Sequence, residues 1–68
     1  MNKLRENFLQ ENKGKEITII FANGFQLSGS LEQYDEQVMS IKTKAYGNRG
    51  PVLVPYNAVT TYVPSFGK

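Results

Sequence analysis

Residues 21–29, Phe21-Ala22-Asn23-Gly24-Phe25-Gln26-Leu27-Ser28-Gly29 (FANGFQLSG), decide how this chain folds. Asn-Gly between two alternating apolar runs is the strongest short hairpin signal, because both residues accept the positive φ of a two-residue turn. With Asn23 and Gly24 as the turn, Ala22 stands opposite Phe25, Phe21 opposite Gln26 and Ile20 opposite Leu27. Large apolar residues then occupy both faces: Ile17, Ile19 and Phe21 on one, Ile20, Phe25 and Leu27 on the other. One face of such a hairpin makes the core, and the second needs a cover.

The chain is short of material for that cover. Its 68 residues make one domain, and a chain of this size buries only about 60% of its unfolded surface. It has no Cys and no His, which removes disulfides and soft metal sites, and no cofactor is expected. Oligomerisation is the support that remains. Eight Lys and Arg against six Asp and Glu give a net charge of +2, a balance that tolerates a polyanion without demanding one. No apolar run approaches the roughly 18 residues of a membrane span, and the opening MNKLRENFLQ lacks a secretory apolar stretch. The expectation is a cytoplasmic protein without a membrane partner.

Periodicity places the elements around the hairpin. Residues 3–12 (KLRENFLQEN) predict a short amphipathic helix with Leu4, Phe8 and Leu9 on its apolar stripe, stopped by Lys13-Gly14. Residues 16–22 and 25–33 are the hairpin strands, and Gly29 inside the second marks a bulge or sharp bend. Strands follow at 37–44, 52–54 and 59–63, with a Gly-rich connector at 45–51 and a tight corner at Asn57-Ala58. A helix followed by five short strands predicts a mainly β fold, a strongly bent five-stranded antiparallel sheet forming a small open barrel.

Catalysis is not expected. With no His or Cys, Asp35-Glu36 is the nearest thing to a carboxylate pair, but adjacent residues on a strand point to opposite faces. Asp35 reads as a turn residue bonded to nearby main chain. Gly24 and Gly29 open no helix and cradle no phosphate. No small-molecule substrate is implied.

Residues 16–43 resemble the first Sm motif of the bacterial Hfq proteins, of the Sm/Lsm class. The match runs without gaps through Asn23-Gly24-Phe25-Gln26-Leu27, Gly29, Leu31-Glu32, Tyr34-Asp35 and Val38–Ile41, and residues 58–64 (AVTTYVP) resemble the family's closing motif. The resemblance implies one Sm-like domain over residues 1–68: helix 3–12, a first-motif region 16–44, connector 45–51, a second-motif region 52–64 and a tail 65–68. It implies a homohexameric ring closed by pairing strand four of one subunit with strand five of the next. It further implies an RNA chaperone for small regulatory RNAs and messenger RNAs.

Carried over by position, the face that takes A-rich or purine-rich single strands comprises Ile20, Phe21, Asn23, Gly24, Phe25, Gln26, Leu27 and Thr61. Phe25 would stack on a base, Gly24 allow close backbone approach, and Gln26 and Thr61 bond base edges. The uridine-binding face falls on Gln37, Tyr56 and Asn57. There the chain departs from the pattern of the family it resembles, which usually carries an aromatic at the position of Gln37 and a Tyr-Lys-His run where Pro55-Tyr56-Asn57 stands. Gln37 supplies no stacking plane and Glu36 adds negative charge, so this pocket is expected to be weakened or repurposed. The alternative function is a structural or protein-interaction ring that has lost useful RNA affinity.

Overall fold

The computed structural model describes residues 3–43 and 50–64. Its elements are α1 (Lys3–Asn12), β1 (Glu16–Phe21), β2 (Gln26–Tyr34), β3 (Val38–Lys42), β4 (Pro51–Pro55), a 3₁₀ turn (Tyr56–Ala58) and β5 (Val59–Pro64). The predicted helix, five antiparallel strands and bent sheet are all present. The connector at 45–51 lies mostly outside the described residues, as does the tail. Among the described residues no helix is long and apolar enough to cross a membrane.

The strands form one sheet in the order β4-β3-β2-β1-β5. β5 returns to pair with β1, leaving β4 and β5 as the two edges of the sheet. Prolines bracket β4 at Pro51 and Pro55 and end β5 at Pro64, keeping both edges short.

Alternation along the strands builds the core. Ile17 and Ile19 from β1, Leu27 and Leu31 from β2, Met39 and Ile41 from β3, and Val54 from β4 are all buried together. α1 closes one end through Leu9, which is 1% exposed, while Phe8 packs on Tyr62 with ring centroids 5.7 Å apart. Leu4 does not join them. It is 82% exposed, because the inward stripe runs through Arg5, Phe8, Leu9 and Asn12, at the i, i+3, i+4 and i+7 positions.

The helix ends by a left-handed Gly14, φ 83°, after which the chain is stitched to β2. The Gly14 N–H donates to the Leu31 carbonyl at 2.6 Å, and the Leu31 N–H to the Lys15 carbonyl at 3.0 Å. This fixes a helix too short to hold by itself.

The hairpin register differs from the sequence expectation by one residue. Ile19 pairs with Leu27 and Ile20 with Gln26, so the loop holds three residues, Ala22-Asn23-Gly24, and the Phe21 N–H bonds the Phe25 carbonyl at 2.8 Å. Gly24 takes φ 90°, as in a three-residue loop closed by a left-handed glycine. The slip moves Leu27 to the opposite face. Leu27 is 3% exposed and belongs to the core, which corrects its assignment to an outer surface with Ile20 and Phe25.

The bulge in β2 is displaced too. Pairing with β3 shifts between Leu31 and Gln33, at Glu32 rather than at Gly29. Gly29 serves a close crossing instead: a Cβ there would lie 2.6 Å from Ile41 Cγ2 and from the Lys42 carbonyl oxygen. The end of β3 folds directly across it, which lets the sheet bend this sharply.

Candidate nucleic-acid interface

Two groups of exposed side chains emerge, one around the hairpin and one where the β2–β3 turn meets the 3₁₀ turn.

The hairpin group has two parts. On the outer face of the sheet, Thr61, Ile20 and Gln26 form one rung across β5, β1 and β2. Thr61 and Gln26 are exposed and Ile20 half-buried. A second register shift, between Ile20 and Phe21 against β5, sets Thr60 out of the pairing, and its hydroxyl donates to the Ile20 carbonyl at 3.1 Å. By strand alternation Phe21 and Phe25 turn the other way, so Phe25 does not share the face of Ile20. Beyond the reach of the core, Phe25 remains 50% exposed. Its ring stacks on Phe21, centroids 5.8 Å apart and planes at 25°, and both line a concavity with Ala22, Asn23 and Ala58.

Asn23 acts first on the turn: its Oδ1 accepts the Phe25 N–H at 2.9 Å. Gly24 is needed for its positive φ, since a Cβ there would meet nothing within 4 Å. The seven exposed or half-buried members of the predicted purine face are thus brought to one end of the sheet, in two sets that meet at the hairpin tip.

The second group is built on Asp35. Its Oδ1 accepts the N–H of Gln37 at 2.8 Å and of Val38 at 2.9 Å, and its own N–H donates to the Val38 carbonyl at 3.0 Å. These main-chain donors, Val38 foremost and then Gln37, hold the carboxyl below the usual aspartate range. The turn is joined to the 3₁₀ turn by the Tyr56 hydroxyl, which donates to the Asp35 carbonyl at 2.6 Å, and by the Tyr56 N–H, 3.3 Å from the Gln37 carbonyl.

Tyr56 is therefore a buried strut, 7% exposed, and burial pushes its phenol above the usual range, with Arg5 opposing. Exposed Gln37 and Asn57 flank it, and the three predicted residues line one open cavity of about 560 Å³ with Arg5, Glu36, Val38 and Pro55. Arg5 was not anticipated. Its guanidinium lies over the Tyr56 ring, 4.0 Å from the centroid, a cation–π contact. The available signal was its position four residues before Leu9, on the face that packs against the sheet.

No family model matches the sequence, and no curated protein matches it. Among solved structures, the chain is similar to a 1.55 Å crystal structure of Hfq, described as a pleiotropic translational regulator. The two share 30% sequence identity and superpose with a TM-score of 0.78, over 90% of this chain and 98% of that one. The likeness spans nearly the whole of both chains, and the chain belongs to the Hfq family of Sm-like proteins.

Proposed function

We propose that this chain is a non-catalytic RNA-binding ring protein of the cytoplasm, which takes single-stranded A-rich or purine-rich RNA and promotes pairing of small RNAs with messenger RNAs. The carrying observation is the Phe25 ring, half exposed yet held by Phe21. A core residue would be covered and a surface accident would be unsupported, whereas a base-stacking platform needs both exposure and rigidity. Phe21, Phe25 and Asn23 form one part of the site, Ile20, Gln26 and Thr61 a second part on the opposite, outer face of the sheet, and Gly24 the tip where the two meet. Leu27 supports them from the core.

The two sheet edges, β4 and β5, support a ring assembly. Six copies pair β4 of one subunit with β5 of the next, which covers both edges and Leu53, 66% exposed on β4. At +2 per chain such a ring carries about +12, enough to draw in a polyanion at low salt.

The test is light scattering on a sized sample, followed by anisotropy titrations with oligo-A and oligo-U. A hexamer binding oligo-A, weakened by about 1–3 kcal/mol on Phe25→Ala and weakened on Gln26→Ala, is the expected result. A monomer overturns the ring. A hexamer that ignores oligo-A at low salt is the structural ring instead.

A further inference from the structure

The cavity at Arg5, Glu36, Gln37, Tyr56 and Asn57 has a composition that selects among bases. One wall is Arg5 lying over the Tyr56 ring, 4.0 Å from its centroid, and proteins stack splayed bases on aromatic rings and on guanidinium planes alike. Arg5 thus replaces the stacking plane that Gln37 does not supply. Val38 and Pro55 add apolar surface. The polar groups at the rim are two amides, which donate and accept, and one carboxylate, which only accepts.

The carboxylate decides the preference. Uracil presents one N–H between two carbonyl oxygens, so a carboxylate that meets the N–H sets its second oxygen against a carbonyl. Cytosine and adenine each offer one amino group beside a bare ring nitrogen, leaving one carboxylate oxygen without a donor. Guanine alone offers two adjacent donors, N1–H and the N2 amino group, spaced for both oxygens in a charge-assisted pair. Gln37 and Asn57 then have O6 and N7 to donate to. The local charge is balanced, Arg5 against Glu36, so the base rather than the phosphate carries the recognition.

We propose that this cavity is a guanine-selective site for single-stranded RNA, with Glu36 as the specificity-determining residue and Arg5 on Tyr56 as the stacking wall. The proposal rests on the RNA-binding reading of the chain but uses none of the hairpin residues, so the two are separable.

The experiment titrates the full chain with GMP, UMP, CMP and AMP by NMR, following the side-chain amides of Gln37 and Asn57 and the Arg5 Nε–H. It then compares the RNA pentamers UUGUU and UUUUU by anisotropy. GMP is expected to bind about tenfold tighter than the other three, the discrimination of one bidentate contact, and UUGUU tighter than UUUUU by a similar factor. Glu36→Gln, an exposed substitution that keeps size and removes charge, should level both series and leave oligo-A affinity unchanged. Arg5→Ala should weaken all four nucleotides together.

UMP binding as tightly as GMP overturns the proposal, as does a guanine preference that survives Glu36→Gln or shifts confined to the hairpin. Oligo-A binding with no guanine preference removes this site and leaves the RNA function standing. Guanine preference without oligo-A binding keeps this site and removes the hairpin as an A-rich RNA face.

Discussion

Tyr56 donates its hydroxyl to the main-chain carbonyl of Asp35 at 2.6 Å, and that bond joins the turn before β3 to the turn before β5. The Arg5 guanidinium covers the same ring, so helix, β2–β3 turn and 3₁₀ turn converge on one phenol. Tyr56→Phe keeps the ring and its packing but leaves the carbonyl without this donor. It should cost about 1 kcal/mol, read as a melting temperature lower by about 4–8 °C in a domain of this size. An unchanged melting temperature would show that the bond adds nothing net over water.

Asp35 gives the fold an acid limb. Its folded carboxyl titrates below the usual aspartate range because two main-chain N–H groups bond the ionised form. A carboxyl depressed on folding stabilises the native state above its unfolded value, about 3.9, and that contribution fades as pH falls through the lower folded value. Asp35→Asn keeps an acceptor and removes the charge. Melts from neutral pH into acid should show the variant less stable than the parent at neutral pH, with the two curves converging below the aspartate range. Curves that stay parallel into acid would remove Asp35 from this account.

Leu27 and Ile20 differ in face by the one-residue register slip, and substitution should separate them. Leu27→Ala empties a core position and should cost about 2–5 kcal/mol. Ile20→Ala, on the outer rung with Gln26 and Thr61, should cost far less stability and weaken oligo-A binding. Urea denaturation beside an anisotropy titration reads both quantities. Equal stability losses would contradict the register that buries Leu27.

What the sequence reveals here follows from which physics is local. The α1 bounds, the five strands and the sharp bend are all legible, because periodicity, Asn-Gly and Gly29 act within a few residues. Register was not, since Asn23-Gly24 suits a two-residue loop and Ala22-Asn23-Gly24 a three-residue one, and only the core contact of Leu27 with Ile19 decides. The inward turn of Arg5 in place of Leu4 is likewise a tertiary choice, made by where the helix meets the sheet. Of the candidate residues, Gln37, Tyr56 and Asn57 do gather in one cavity. Their predicted roles could not include the Arg5 stack, since no local spacing joins residue 5 to residue 56.

Gly24 and Gly29, five residues apart, should respond oppositely in kind to alanine. At Gly24 the φ of 90° is the whole difficulty, because a Cβ would find open space. The cost is the left-handed strain of an L-residue, about 1–2 kcal/mol, and the core stays intact. At Gly29 the backbone is ordinary and the space is absent. The new methyl would lie 2.6 Å from the Lys42 carbonyl oxygen and 2.6 Å from Ile41 Cγ2, with Thr43 Cβ at 3.0 Å. Ile41 is itself fully buried, so neither neighbour can retreat without moving β3. Overpacking of this kind costs about 1–3 kcal/mol or more, and it should fall on the β2–β3 pairing. Urea unfolding should rank Gly29→Ala as the more damaging variant, and hydrogen exchange should show lost protection at Ile41 and Lys42 there but not in Gly24→Ala. If Gly29→Ala is as stable as Gly24→Ala and keeps that protection, the crossing of β3 over Gly29 is looser than this packing requires.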